Sequence, residues 1–299
     1  MIGTKTRDTL AESITDAHAL GSTRPGVLRA LFAQRVGVIG LVIVAVMALI
    51  AIAAPVLAPD DPTRIDAVRR LAPPSTDALL GTDNLGRDIL SRLIWGARLS
   101  LGTAALAAVL ILTIGIGLGM VAGYYGGLLD DLLMRIVDVL LAFPALILAL
   151  AIAGVLGPSI TSVMVGIVAV AWADYARVMR GQVLAARERQ YVEAARATGV
   201  RDLRILARHL LPNVLPPILV LASLEMGGLI LAISGLSFLG LGAQPPTPEW
   251  GAMLNDGRAF IAAAPQLMIY PGLAISIVVI GFNLLGDGLR DAFDPHLRL

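Results

Sequence analysis

Residues 191–199 read YVEAARATG and residues 209–213 read HLLPN, within a polar interval between two long apolar runs. Residues 182–198 are rich in alanine and other good helix formers. Gly199 suits the left-handed position that ends a helix, and Asp202 can then cap a second one. The interval therefore predicts a helix, a glycine turn and a second helix between two membrane spans.

The second helix of this interval is expected to be short and to bury one face. Its Leu203, Leu206 and Leu210 fall on one side at helical spacing. Prolines at 212, 216 and 217 are expected to end this helix and to start the next one at its first turn.

Apolar residues dominate the composition. The chain has 299 residues, 57% of them hydrophobic, with a mean hydropathy of +0.81, and its apolar residues form long runs that indicate membrane spans. The net charge of +1 gives no argument for nucleic-acid binding. Lys5 is the only lysine, which excludes a phosphate-binding Gly-x-x-x-x-Gly-Lys loop. Any ATP that drives this protein must therefore be bound by another subunit.

Six apolar runs predict an all-α membrane protein with six transmembrane helices. Because the runs are continuous rather than alternating, helices are favoured over a β-barrel. Glycines at 115, 117, 119 and 123 permit close approach of another helix, and Pro144 predicts a kink. The runs lie near residues 36–58, 100–122, 132–155, 158–176, 216–242 and 267–286.

Charge predicts the side of the membrane on which each polar segment lies. Residues 174–208 carry eight arginines against four acidic residues, which favours the cytoplasm, as does the basic excess before the first span. The predicted division is a cytoplasmic N-terminal tail (1–35), a first transmembrane helix (36–58), an extracytoplasmic segment with an amphipathic helix (59–99), a five-helix core (100–289) that includes a cytoplasmic loop (177–215), and a cytoplasmic C-terminal tail (290–299).

The polar interval resembles the EAA loop found in permease subunits of bacterial ABC importers. That loop has Glu-Ala-Ala, three residues, a glycine and, further on, Leu-Pro. Glu193-Ala194-Ala195, Gly199 and Leu211-Pro212 match it in identity and spacing, whereas His209 stands where the wider family prefers isoleucine. An ordinary connecting helical hairpin is the alternative interpretation.

Three further regions resemble permeases for dipeptides, oligopeptides and nickel, and specifically the second, C-type permease of the pair. They read GTDNLGRD at 81–88, LSFLGLG at 236–242 with PEWG at 248–251, and NLLGDGLRD at 283–291. The resemblance implies a type I ABC importer permease fold, with six transmembrane helices and both termini in the cytoplasm.

The same resemblance implies a transport subunit of the cell inner membrane without catalysis of its own. It would import short peptides, or nickel chelates as the alternative, in contact with membrane lipid and with no cofactor on this chain. Its partners would be a homologous second permease, an extracytoplasmic substrate-binding protein and two ATPase subunits that use ATP and Mg. The loop would couple ATPase closure to alternating access through Tyr191, Glu193, Ala194, Ala195, Gly199, Leu211 and Pro212.

One carboxylate lies well inside a predicted span. Glu225 is costly to bury, so it marks either the translocation path or a structural contact with a neighbouring helix. Ser234 and Ser237, on the same span, complete the candidate path. Arg135 and Asp138, three residues apart, are expected to pair. The three histidines are scattered, so no metal site is predicted.

A secondary transporter driven by an ion gradient is the competing class. It predicts several ionisable residues within the membrane and internal repeats. Glu225 is the only acid well inside a predicted span, and the sequence has no obvious repeat.

Overall fold

The structure, a computed structural model, describes residues 32 and 34–293, and within these ranges it is helical apart from turns and one isolated bridge. The predicted N- and C-terminal tails lie largely outside the described residues. The helices are α1 (Arg35–Ile52), α2 (Ala54–Leu57), α3 (Ile89–Tyr125), α4 (Gly127–Leu141), α5 (Ala145–Leu156), α6 (Ile160–Arg187), α7 (Gln190–Ala197), α8 (Asp202–Arg204), α9 (Leu211–Phe238), α10 (Trp250–Gly257) and α11 (Gln266–Phe293), with a π-helical turn at Ile205–Leu210 and 3-10 turns at Ala67–Arg69 and Arg258–Phe260.

Five helical stretches among the described residues are long and apolar enough to cross a membrane, and a bent pair makes a sixth if it counts as one span. The five are α1, α3, α6, the continuous run Asp202–Phe238, and α11. The bent pair is α4 and α5, which meet at an angle of 89°. The all-helical membrane fold is thus confirmed, with five or six candidate spans.

The bend between α4 and α5 is sharper than the predicted kink at Pro144. Pro144 precedes the first residue of α5 and has no N–H to continue the helix that ends at Leu141. Asp130 and Asp138 on α4 form ion pairs with Arg180 and Arg177 on α6. The predicted pairing of Asp138 with its near neighbour at position 135 is therefore wrong, because tertiary packing offers it a cation from another helix.

The amphipathic helix predicted within 59–99 and the second span form one helix. Asp88 caps it, its carboxylate accepting the N–H of Ser91 at 2.7 Å. From Ile89 the helix continues to Tyr125 without a break, a length of 37 residues or about 55 Å. This exceeds the hydrocarbon core of a bilayer, about 30 Å, so its ends extend beyond that core.

Helix α3 therefore defines the two ends of the bundle. We call its start the motif end. Residues 81–88 directly precede it, and residues 248–257 lie there because Asp256 forms an ion pair with Arg92 in the first turn of α3. We call its other end the hairpin end, because the Tyr124 hydroxyl donates a hydrogen bond to Asp202 at 2.7 Å.

Helices α3 and α6 pack closely along a row of glycines. A Cβ added to Gly115 would lie 2.6 Å from Tyr175 Cβ, and one added to Gly119 would lie 2.5 Å from the Ala176 carbonyl oxygen. A Cβ added to Gly123 would lie 2.9 Å from the Arg180 carbonyl oxygen. Gly117 differs, since an added Cβ there would meet nothing within 4 Å. The predicted close approach is thus confirmed for three of the four glycines.

We predict that Gly119→Ala weakens this contact whereas Gly117→Ala does not. The added methyl at 119 forces the two backbones apart, at a cost of about 1–3 kcal/mol. Both variants carry the same gain in helix propensity, so their difference isolates the packing term. The measurement is the thermal unfolding midpoint of the purified membrane complex. Equal midpoints for the two variants would show that α3 and α6 do not need this spacing.

Candidate functional site

The hairpin formed by α7 and α8 turns at Gly199, which has φ +72° as predicted. The Gly199 N–H donates to the Arg196 carbonyl at 2.9 Å, and the Val200 N–H donates to the Ala195 carbonyl at 3.1 Å. These two bonds are those of a Schellman motif, which places a left-handed residue just after the helix. A side chain at this position carries a conformational penalty that glycine avoids.

The hairpin is buried on one side and exposed on the other. Val192 and Ile205 are fully buried and join the main hydrophobic core, together with Ala195. The opposite side presents polar and small residues at the hairpin end of the bundle. Of the residues predicted to couple to an ATPase, Ala195 is buried, Leu211 is half-buried, and the exposed ones are Tyr191, Glu193, Ala194, Gly199 and Pro212.

Asp202 does not cap the second helix as predicted. Its side chain accepts a hydrogen bond from Tyr124, and Arg201, which caps α8, makes no side-chain cap bond. The Arg196 guanidinium lies 5.1 Å from the centre of the Tyr124 ring, in a cation–π contact. Tyr124, which the sequence analysis did not single out, therefore ties both arms of the hairpin to the end of α3.

The predicted apolar face of the second helix is only partly confirmed. Leu206 and Leu210 are buried, but Leu203 is 78% exposed. The π-helical turn at Ile205–Leu210 changes the number of residues per turn, so Leu203 does not share the face of the other two leucines.

The prolines do not end this helix either. The chain stays helical from Asp202 to Phe238, with Pro212 in the first turn of α9 and Pro216 and Pro217 inside it. The π-helical turn directly before Pro212 supplies a local adjustment of the backbone hydrogen bonds. One continuous helical path therefore joins the hairpin to the membrane interior.

A cavity of about 640 Å³ lies between α3, α5, α6 and α9. Its wall is apolar except for three polar side chains: Glu225 of α9, and Asp174 and Tyr175 of α6. The Tyr175 hydroxyl lies 3.5 Å from a Glu225 carboxylate oxygen. Sequence analysis identified Glu225 alone, because nothing in the local pattern around 174–175 shows which helix these residues face.

The two serines of the candidate path lie elsewhere. Ser234 and Ser237 are buried and do not line the cavity. They pack against Gly251 at the start of α10, where an added Cβ would lie 2.3 Å from the Ser234 carbonyl oxygen. The structure thus places them with the motif end rather than with Glu225.

Glu249 organises the contact between α10 and α3. It is fully buried and accepts hydrogen bonds from the N–H groups of Gly251 at 3.0 Å and Ala252 at 2.8 Å, and from the Ser100 hydroxyl at 3.0 Å. Burial raises the pKa of the Glu249 carboxyl, and the two backbone N–H groups oppose that rise. Trp250 beside it donates its indole N–H to the Leu93 carbonyl at 3.0 Å.

A buried ion cluster joins residues 81–88 to α10. Arg87 contacts Asp83 at 2.6 Å and Asp256 at 3.2 Å, and Arg92 contacts the same carboxylates at 3.4 Å and 3.5 Å. The arginine side chains are 1% and 2% exposed. Segment 81–88 thus contacts the helix that begins within segment 248–251, although Arg87 and Asp256 are separated by 169 residues in sequence.

These features belong to a known family of transport proteins. Residues 115–299 match the model of the binding-protein-dependent transport system inner membrane component, and residues 26–74 match the N-terminal TM domain of oligopeptide transport permease C. The chain belongs to this family and is an ABC importer permease of the inner membrane. This assignment decides against the competing class of ion-gradient-driven transporters.

Several relatives are similar over most of their length. The dipeptide transport system permease protein DppC of Alkalihalophilus pseudofirmus is 45% identical over 89% of this chain and 87% of its own. The nickel transport system permease protein NikC of Escherichia coli is 45% identical over 87% of this chain and 94% of its own. The glutathione transport system permease protein GsiD of Pectobacterium atrosepticum is 47% identical over 75% of each chain.

We predict that Asp83→Asn destabilises the protein strongly. Removal of one carboxylate leaves two buried guanidinium groups with a single anion, and breaking a buried ion pair costs about 3–5 kcal/mol. Arg64→Gln is the control, because Arg64 forms an exposed pair with Asp60 at 3.6 Å and such pairs contribute about 0–1 kcal/mol. The measurement is the unfolding midpoint of the detergent-solubilised complex. Similar midpoints for both variants would contradict a stabilising role of the cluster.

Proposed function

We propose that this chain is the second, C-type permease of an importer that carries short peptides across the inner membrane. The observation that supports this most directly is the continuous helix from Asp202 to Phe238, which joins the exposed hairpin to the cavity wall. Glu225 lies 23 residues beyond Asp202, a distance of about 35 Å along the helix. A force applied at the hairpin therefore acts on the wall of the cavity.

We place the hairpin end in the cytoplasm. Residues 174–208, which carry eight arginines against four acids, lie at or near this end. Helix α11 starts at the motif end, where Leu267 packs with Ile89, so its last turns reach the hairpin end. Helix α1 packs against those last turns, since a Cβ on Gly40 would lie 2.3 Å from the Leu285 nitrogen. In this proposal the chain has six spans and both termini are cytoplasmic.

The exposed face of the hairpin is the proposed docking surface for an ATPase subunit. Tyr191, Glu193 and Ala194 lie on this face, and the small alanine side chain permits close approach of a groove. Because the buried face packs on the core, docking cannot displace the hairpin without moving the core as well. Two ATPase subunits supply ATP and Mg chemistry, and this chain binds no cofactor in the proposal.

Closure of the ATPases is proposed to tilt the long helix as a rigid element and so to open the cavity to the other side. A homologous second permease completes the path around a pseudo-twofold axis. An extracytoplasmic substrate-binding protein delivers the substrate at the motif end.

A peptide ammonium group is the proposed partner of the acidic side of the cavity. Glu225 and Asp174 present carboxylates to an otherwise apolar space of a size that suits a small molecule. The proposed path consists of Glu225, Asp174 and Tyr175. Ser234 and Ser237 lie outside it, because both are buried against Gly251.

Nickel chelates are the second candidate substrate. One permease of Escherichia coli that resembles this chain is a nickel transport system protein. Uptake by cells with and without this gene, measured in parallel with a labelled dipeptide and with labelled nickel, separates the two. Gene-dependent uptake of neither would contradict both proposals.

One prediction tests whether the turn at Gly199 couples the hairpin to the ATPase subunits. Gly199→Ala should reduce recovery of the ATPase subunits with the complex, and Gly199→Val should reduce it further. A Cβ in the left-handed region costs about 1 kcal/mol or more, and a β-branched side chain is worse. The membrane spans do not depend on this turn, so the two permeases should still assemble.

Gly181→Ala is the matched control for this experiment. An added Cβ meets nothing within 4 Å at either glycine, but only Gly199 has a positive φ. The measurements are the amount of ATPase that copurifies and the substrate-stimulated rate of ATP hydrolysis. Full ATPase retention and normal stimulation in Gly199→Val would show that the turn does not serve coupling.

Another prediction concerns Glu225 in the proposed translocation path. Glu225→Gln should lower uptake of labelled dipeptides about ten-fold, as expected for loss of one charge-assisted contact. Asp77→Asn removes an exposed carboxylate outside the cavity and should leave uptake unchanged. Copurification of the partner subunits distinguishes the two roles of Glu225: if Glu225→Gln abolishes assembly, the residue is a structural contact instead.

A further inference from the structure

A second cavity, of about 430 Å³, lies between α1, α3 and α11, and Met226 of α9 borders both this cavity and the first. We call it the α1–α3 groove, since these two helices supply most of its wall. Helix α11 and Met226 of α9 complete it. Its wall is apolar with a single charged side chain, Arg98; the apolar members include Val44, Met47, Ala51, Leu101, Ala105 and Phe282.

The charge lies at one end of the groove. Arg98 and Ile52 line it towards the motif end, because α1 leads from Ile52 to Asp60, whose N–H donates to the Ser91 hydroxyl at 3.0 Å. From Arg98 to Ala105 the groove follows α3 for seven residues, about 10 Å. One leaflet of the hydrocarbon core is about 15 Å thick. The groove therefore runs from a charged end into the depth of one leaflet.

Arg98 has no acidic partner in the part of the chain that the structure describes. Its guanidinium lies 5.5 Å from the centre of the Trp95 ring, and no ion pair involves it among those residues. Tryptophan and arginine together are typical of the level of lipid headgroups. The guanidinium is thus available to a ligand anion at the level where phosphate groups lie.

We propose that the α1–α3 groove binds an anionic phospholipid, with an acyl chain between α1 and α3 and its phosphate on Arg98. The groove combines an apolar slot with a cation at its outer end. This combination matches the acyl chain and the phosphate of an anionic phospholipid. Arginine forms strong charge-assisted hydrogen bonds with phosphate. The proposal depends on the membrane location of the chain and is independent of the transported substrate.

Glycine 102 allows the groove to be filled selectively. It lines the groove, and a Cβ added there would meet nothing within 4 Å. Gly102→Leu begins from a Cβ that contacts no neighbouring atom, and its side chain is expected to occupy the slot. Gly117→Leu is the matched control, because Gly117 lies on the same helix, also has open space around it, and is outside the groove.

The test uses the complete importer reconstituted in nanodiscs with equal amounts of phosphatidylglycerol and phosphatidylcholine. After extraction into detergent, native mass spectrometry counts the phospholipids retained per complex. Wild type and Gly117→Leu should retain phosphatidylglycerol preferentially. Arg98→Gln should reduce that preference about five-fold, the effect of one interfacial cation. Gly102→Leu should lose the bound lipid of either headgroup.

Two results would overturn the proposal. If Arg98→Gln and Gly102→Leu retain lipid with the stoichiometry and headgroup preference of wild type, the groove holds no specific phospholipid. If Gly102→Leu instead releases the second permease while Gly117→Leu does not, the groove is a subunit interface. Subunit composition is read from the same spectra, so the two results are distinguished in one measurement.

Discussion

The close contact between α3 and α6 is the constraint on which the rest of the structure depends. Helices in a bilayer gain little from burying apolar side chains against one another, so their association depends on close packing and specific polar contacts. Gly115, Gly119 and Gly123 bring the two backbones together over two turns. At the end of this row the Arg187 guanidinium donates to the Gly123 carbonyl at 2.9 Å. The relative position of α3 and α6 in turn fixes one wall of the cavity.

Charged side chains stabilise the two ends of the bundle in different ways. At the motif end, Arg87 and Arg92 are buried with two carboxylates, so that loss of one partner leaves a buried charge without compensation. Nearer the hairpin end, Asp130 and Asp138 pair with arginines of α6 that are partly or largely solvent-accessible. The first cluster joins segments that are distant in sequence, whereas the second set of ion pairs holds α4 against α6 before the bend at Pro144.

Features that depend on local sequence could be predicted, and features that depend on distant partners could not. The glycine that ends α7 follows from backbone geometry, and the apolar runs follow from transfer free energy, so both were foreseen. Asp202 illustrates the other case: its capping role is typical of the residue, but Tyr124, 78 residues away, takes its carboxylate instead. The boundary predicted at residue 100 is another such case: no proline interrupts α3 there, and the Ser100 hydroxyl, instead of capping a helix, donates to Glu249, 149 residues away.

The candidate site also combines residues that local sequence predicts with residues that only the fold brings together. Glu225 was recognised because an acid inside a span is unusual in any context. Tyr175 and Asp174 were missed, since the face that each turns towards the cavity is set by the packing of α6. Segments 81–88 and 248–251 can be recognised by resemblance, but the contacts of Arg87 with Asp256 and of Glu249 with Ser100 depend on the fold.

Helix α9 is the element that relates these sites to one another. It continues from the hairpin without interruption, and its Glu225 faces the cavity while Met226, the next residue, borders both the cavity and the α1–α3 groove. A rigid helix that borders two spaces changes both when it moves. A displacement that begins at the hairpin therefore acts on the cavity through Glu225 and on the groove through Met226.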